Sequence, residues 1–276
     1  MCEHHGIKET KPVIRSLESM HRRDIVRGLW TGTMVLGVVG AGGCADTAAF
    51  FAPSDAELEP LAAQAWAETK AQTPISRDAK ANARLQSVGN KIASVARVPN
   101  AQWEFVVFDS QEKNAFVLPG GKVGFYKGLM DFTENDDQVA AVLGHEVGHV
   151  VARHAALRAG QQTATSLLLQ GGGAILGQTA KMSSDQLNMV MAVAGAGATV
   201  GIALPFSRQN ETDADKFGVD YMQAAGYDVK QAIRLWERMG AASTNRPQEW
   251  MSTHPNPETR IQELRSYINA KGYAKV

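Results

Sequence analysis

Residues 140 to 154, AAVLGHEVGHVVARH, hold two histidines four positions apart, with a glutamate directly after the first. On an α-helix that spacing sets His145 and His149 about 40° apart around the axis and about 6 Å apart along it, so both imidazoles can meet one ion. Glu146 is rotated about 100° from His145, too far to be an ideal ligand but within reach of a water beside the ion. Two neutral nitrogen ligands and a carboxylate base near an activated water are what metal-assisted hydrolysis requires. The bland alternative is a helix with two satisfied histidines. His154, five residues past His149, falls about 140° away on a continuous helix and is expected at the surface or behind a ligand, not as a ligand.

A catalytic zinc with two histidine ligands takes a third protein ligand and keeps one position open. Beyond His154 only one more histidine follows, His254, so a carboxylate is the expected third ligand. The stretch LPFSRQNETDADKFGVDYMQAAGY supplies a candidate: Pro205 breaks the preceding run, Ser207 caps, and the helix continues to Gly226. Glu211 and Asp215, four apart, share one face. Glu211 is expected to bind the metal and Asp215 to accept the free ring N–H of a ligand histidine; the alternative is a solvated acidic face near Lys216. His254 sits in STHPNPETRIQELRSYI, on a proline-stiffened loop before a helix begun by Asn256 and Pro257. Three roles fit it: a second donor to a developing oxyanion, a plug in the open zinc position, or a loop anchor. The expected cofactor is one Zn2+ per chain. Thiolate sites are excluded from the body of the protein, because the only cysteines, Cys2 and Cys44, lie near the N-terminus.

The chain has 276 residues, enough for one sizeable domain or two small ones, and 28 basic residues balance 28 acidic ones. That balance gives no basic surface for nucleic acid. Arg22, Arg23 and Arg27 precede a short apolar run, GLWTGTMVLGVVGAGG (28–43), that ends at Cys44. A charged start, a short apolar centre and small residues before a cysteine form the pattern of a bacterial lipoprotein signal, although Ala41 stands where such signals usually carry Leu. Residues 1–43 are therefore expected to be an N-terminal extension and signal segment, with translation starting at Met1 or Met20. Residues 44–276 then form the working domain, held at a membrane on the periplasmic side of the cell envelope by lipid on Cys44. Ordinary cleavage nearby and an uncleaved anchor are the alternatives.

Periodicity gives the elements that must position these residues. SDAELEPLAAQAWAETKAQ opens with a Ser54–Glu57 capping box and reads as a helix interrupted early by Pro60. A second helix spans 78–97 and stops before Pro99. The period then changes to two: 103–109 and 114–129 read as strands, the latter pair joined by a Pro119-Gly120-Gly121 turn. One strand of the 114–127 hairpin is a candidate open edge to which a peptide substrate could add, although core packing explains the hairpin equally. Asn135, with Gln138 three residues on, caps the histidine helix, and Val139, Val142, Leu143 and Val147 supply its apolar stripe. The fold class is thus α+β and mainly helical, with a small antiparallel sheet beside the active helix. The segment 157–206 is apolar but rich in Gly and Ala; a lid, a membrane-lying surface, true spans and plain core all remain open.

VLGHEVGHVVARHA, SRQNETDADKFG and THPNPETRI, in that order, resemble the HtpX and CAAX-prenyl-protease family of zinc endopeptidases, metallopeptidase family forty-eight. NAFVLPGGKVGFYKGL resembles the segment those enzymes carry before the active helix. The resemblance covers roughly residues 55–270 and is greatest to the periplasmic lipoprotein members, without the repeat domain of some relatives. It implies a gluzincin-type metalloprotease domain in which His145, His149 and Glu211 bind zinc, Glu146 is the catalytic base and then acid, and Asp215 is the supporting aspartate. It also implies protein substrates, often misfolded or membrane-associated.

Overall fold

The structure, a computed structural model, describes residues 44–169, 206–242, 254 and 257–275. The expected signal, residues 1–43, and most of the apolar stretch 157–206 lie outside the described residues. Helices α1 (Cys44–Phe51), α2 (Asp55–Gln72) and α3 (Ala79–Ala96) precede strands β1 (Glu104–Phe108), β2 (Ala115–Leu118) and β3 (Lys122–Tyr126). Then follow α4 (Lys127–Phe132), α5 (Asp136–Val151), α6 (His154–Leu169), α7 (Arg208–Ala224), α8 (Lys230–Ala242) and α9 (Pro257–Lys271). The class is the expected one: mainly helical α+β with one small sheet.

Local chemistry accounts for the helix starts. The Glu57 carboxylate accepts from the Ser54 backbone N–H at 2.8 Å, closing the expected capping box on α2. Asp78 accepts from Lys80 and Ala81 N–H groups at the start of α3, and Asn135 accepts from Gln138 N–H at 3.0 Å at the start of α5. Pro60 does not interrupt α2, which runs through it to Gln72. Its missing donor costs one hydrogen bond near the N-terminus, while burial of Leu58, Ala62 and Trp66 along one side holds the helix in place.

The Pro119-Gly120-Gly121 turn forms as expected, with Gly120 and Gly121 at φ 82° and 87° and the Gly121 N–H donating to the Leu118 carbonyl. β2 and β3 are antiparallel, but β1 pairs parallel to β3, and the strand order is β1-β3-β2. The sheet is therefore mixed where a purely antiparallel one was expected. β3 inserts between the two strands that precede it, and a pairing order of that kind leaves no trace in alternation along one strand. Ser76 N–H donates to the Val107 carbonyl and Asp109 N–H to the Pro74 carbonyl, covering the outer side of β1. No strand lies beyond β2 among the described residues.

Alternate strand residues divide between two cores. Val107, Val117, Val123 and Phe125 join the large core built by α3, α5, α7, α8 and α9, while Phe108, Phe116, Leu118 and Tyr126 pack under Trp66 of α2. The helix α5 departs from its expected amphipathic stripe: every residue from Gln138 to His149 is buried. It is a central helix enclosed on all sides, so its polar residues are buried with it.

The closest approach to α5 is made by α7. A Cβ on Gly144 would lie 2.8 Å from the Gly218 carbonyl oxygen, and one on Gly148 would lie 2.8 Å from that of Ala214. The two backbones touch because small residues face each other, and this brings 145 and 149 opposite 211 and 215. Alanine at 144 would gain about 1 kcal/mol in helix propensity. It would also press backbone on backbone where neither can yield, an overpacking cost of about 1–3 kcal/mol. Gly144→Ala is therefore expected to lower the melting temperature and weaken zinc binding together; an unchanged melt and unchanged affinity would show that the helix contact is slack.

Candidate metal centre

Four side chains converge where α5 meets α7. His145, His149, Glu211 and His254 each offer a ligand atom, all within 4.8 Å of one another, and all four residues are buried. His145 Nε2 lies 3.0 Å from His149 Nε2 and 3.6 Å from Glu211 Oε2, and His149 Nε2 lies 3.5 Å from Glu211 Oε1. His254 Nδ1 closes the group, 3.2 Å from His145 Nε2 and 3.0 Å from Glu211 Oε1. Ligands about 2.0–2.1 Å from a tetrahedral zinc are separated by roughly 3.3 Å. The observed separations bracket that value, so the donor set fits the ion in size as well as in chemistry.

The outer partners fix which ring nitrogen faces inward. The Asp215 carboxylate stands 2.8 Å from His145 Nδ1, so this nitrogen carries the proton and donates, leaving the Nε2 lone pair toward the group. His149 Nδ1 lies 2.9 Å from His154 Nδ1. For His149 Nε2 to face a cation with its lone pair, Nδ1–H must donate to His154, which then keeps its own proton on Nε2. His154 is thus buried behind a candidate ligand, and the surface position also allowed for it is ruled out. The cause is a break: α5 ends at Val151, Arg153 takes φ 54°, and the chain restarts as α6, so the continuous-helix angle does not apply.

Charges around the group favour a cation. Burial lowers the His149 pKa well below its ordinary value, and the neighbouring His145, His254 and His154 lower it further, keeping the ring neutral. Burial lowers His154 to about 4. For Glu211 burial pushes upward, but the His254 and Arg260 charges outweigh it and hold the carboxyl below its usual value. Asp215 is likewise held down against its own burial, by the charge and hydrogen bonds of Arg260 and then by His145. The two carboxylates meet one buried guanidinium, and the remaining negative charge suits a divalent ion.

Arg260 carries no label in a spacing argument. Its Nε and Nη2 donate to Asp215 at 2.7 Å each, and Nη1 lies 2.9 Å from Glu211 Oε2. It therefore ties the carboxylate behind His145 to the candidate metal ligand, while its guanidinium lies over Trp236 at 5.1 Å. The one available signal was a lone basic residue six positions past His254 with acidic residues expected nearby. Phe206 was equally silent: it stands between the breaker Pro205 and the cap Ser207 with no pattern of its own. Its ring stacks on His149 at 4.1 Å and lies 5.6 Å from that of His254.

Glu146 stands beside the four-atom group, with Oε1 3.6 Å from His254 Nε2. It lines a cleft of about 320 Å³ together with His149, His254 and Phe206, and with Ala115 and Val117 of β2. The structure thus gathers His145, His149, Glu211 and His254, with Asp215 behind and Glu146 at the cleft. Cys44, the first residue of α1, lies apart from this centre in the chain.

A buried His-His-Glu group with a further buried glutamate at a cleft defines a metallopeptidase type of centre. The chain belongs to peptidase family M48, matching it over residues 79–268, and that family is zinc-dependent. It is 36% identical over 186 residues to the mitochondrial metalloendopeptidase OMA1 of Schizosaccharomyces pombe, covering 67% of this chain and 52% of that protein. It is 29% identical over 204 residues to the beta-barrel assembly-enhancing protease of Escherichia coli K12, covering 73% of this chain and 42% of that one. Metalloprotease YcaL of Escherichia coli K12 is 26% identical over 216 residues, 78% of this chain and 81% of that protein. The chain spans about half the length of the first two of these relatives.

Proposed function

We propose that this chain is a zinc-dependent endopeptidase that cleaves misfolded or misassembled cell-envelope proteins, tethered on the periplasmic side by lipid on Cys44. The observation that carries the peptidase reading is Glu146 at the cleft, beside three histidines and a carboxylate that fit one ion. A purely structural zinc site has no use for a base there. Likeness to a beta-barrel assembly-enhancing protease supports the envelope substrate.

His145, His149 and Glu211 would hold the zinc, which when bound supplies Lewis-acid chemistry: it polarises the scissile carbonyl and acidifies water. Glu146 takes the proton from the water whose oxygen adds to the carbonyl carbon. It then delivers that proton to the amide nitrogen as the C–N bond breaks. Asp215, fixed by Arg260, keeps His145 in the tautomer and orientation a ligand needs. Substrate backbone would add to β2. Tyr126 N–H donates to the Asn114 carbonyl, so residues 114, 116 and 118 turn toward β3 and, by alternation, Val117 presents its N–H and C=O to the cleft.

His254 supports a second reading, a proteolytically latent binding or assembly factor, because its Nδ1 occupies a place in the ligand group itself. The test is casein cleavage by the zinc-loaded full chain and by His254→Ala. With the fourth donor gone the position is open, and cleavage is expected to rise several-fold from a slow wild-type rate. A fall of about 10²-fold or more would make His254 an oxyanion donor instead. No change in rate or zinc affinity would remove both roles.

A further inference from the structure

Between α5, which carries both candidate histidine ligands, and α6, which begins at His154, the chain reverses at Arg153. Arg153 takes φ 54°, a left-handed conformation that a residue with a Cβ adopts only when its surroundings hold it there. The contacts that hold it come from far away in the sequence. Its Nε donates to the Asp55 carboxylate at 3.0 Å and its Nη2 to the Pro53 carbonyl at 2.7 Å, 98 and 100 positions earlier. Pro53 belongs to the short arm, residues 52–54, that joins α1 to α2. We propose that Arg153 is a positioning residue: by gripping this arm it fixes the turn that sets His154 against His149, so that the hold on zinc depends on how the arm is seated. The assignment rests on the peptidase reading above, in which His149 binds the metal.

The backbone of Arg153 closes one helix and opens the next. Its N–H donates to the Val150 carbonyl at 2.9 Å, and its own carbonyl accepts from the Leu157 N–H at 3.0 Å. His154 is the next residue, and its Nδ1 lies 2.9 Å from His149 Nδ1, so a change of backbone at 153 carries this ring away from the candidate ligand. The following turns of α6 rest on the same arm. Ala156 and Ala159 pack with Leu58 of α2 and with Ala52 in a small core separate from the large one. A Cβ on Gly160 would lie 2.7 Å from the Ala52 backbone nitrogen, so helix and arm meet backbone to backbone. The seat of His154 is thus built by α1, the arm and α2, with Arg153 as its tie to α5. The Arg153 and Asp55 side chains are 45% and 69% exposed, and an ion pair that open adds little to global stability. Its effect is local. Loss of a partner behind a metal-bound histidine lowers metal affinity by about 10–100-fold, and Arg153 acts one step further out.

The experiment measures the zinc affinity of the full chain, by competition with a chromophoric chelator, in wild type, Arg153→Ala, His154→Ala and the double variant, with the metal-free melting temperature of each. The expected result for Arg153→Ala is an affinity loss of about tenfold, the low end for an outer partner, with the metal-free melt little changed. In the His154→Ala background the same substitution should cost nothing further, because the two residues act through one contact. Nitrogen NMR of the histidine rings in the metal-free chain gives a second readout: the His149 proton sits on Nδ1 in wild type and is shared between the two nitrogens in Arg153→Ala. Equal losses in both backgrounds, no loss in Arg153→Ala alone, or an unchanged ring signature overturns the assignment and leaves Arg153 as a surface ion pair. Should Arg153→Ala fold poorly, Asp55→Asn weakens the grip from the side of the arm, and a smaller loss is expected, present only while His154 is in place; a loss that persists in His154→Ala refutes the proposal. If the wild type binds no zinc, the metal reading is what has failed, and the ring signature of the metal-free chain alone decides on Arg153.

Discussion

Glutamine in place of Glu146 is expected to lower casein hydrolysis by about a thousandfold while zinc content stays at one ion per chain. General-base catalysis by a positioned side chain is worth about 10²–10⁴-fold, and an amide cannot take the proton. Zinc should stay because Glu146 is not among the four ligand atoms; it lies beside them, 3.6 Å from His254. The substitution also keeps the side-chain volume in a position that is buried, so the enclosing helix has no cavity to absorb. Hydrolysis and metal content must be measured on the same preparation. If metal and activity disappear together, Glu146 is needed to build the site; if activity persists with metal bound, the base lies elsewhere, and His254 is the nearest alternative.

The centre was legible in the sequence to the extent that it rests on single helices. His145 and His149 come together through a four-residue spacing, and so do Glu211 and Asp215; each pair reads from the 3.6-residue period alone. That the two helices should meet needed one further step, the need of a zinc ion for a carboxylate when only one histidine remained. What stayed hidden depends on chain reversals. Arg260 bonds to partners 45 and 49 positions earlier in the sequence, and no local pattern announces a pair that distant. For His154 the sequence left the surface and a place behind a ligand both open, because helix geometry was extended across Arg153, whose positive φ lies two residues past the end of α5. The parallel pairing of β1 escaped for the same kind of reason: alternation reports which face a residue takes, not which strand lies alongside.

Gly144 shows a signal present in the sequence that no single-helix pattern brings out. Gly144 and Gly148 directly precede the two helix histidines and Gly218 stands three residues past Asp215, and in an isolated helix each would cost stability. Their meaning appears only when the two helices are set together, because a Cβ at any of the three would strike the facing backbone within 3 Å. The complete burial of α5 has the same origin. A stripe of apolar residues describes a helix with one covered face, whereas this one has small residues on the side toward α7 and valines on the others. Burying it wholly brings two histidines and a glutamate into the interior, where they must be satisfied by partners or by an ion.

That requirement sets the size of the second large effect. Replacing Arg260 with methionine is expected to destabilise the metal-free chain by about 3–5 kcal/mol, because it strands two buried carboxylates that it had paired. Asp215 would lose both of its bonds to the guanidinium and keep only His145, while Glu211 would keep His254. The net charge enclosed by Glu211, Asp215 and residue 260 becomes more negative by one, and a divalent cation compensates it better than before. The variant should therefore depend on zinc for folding more than the wild type does: the stabilisation gained on adding zinc, measured by denaturant unfolding with and without a chelator, grows in Arg260→Met. A variant as stable as wild type in chelator would mean that water, not Arg260, satisfies those carboxylates. A variant whose zinc response shrinks would mean that Arg260 acts chiefly by holding Glu211 in place. Catalysis separates this last possibility from the expected one, because a misplaced Glu211 lowers zinc affinity and turnover together, whereas a merely unbalanced charge is restored once the ion is bound.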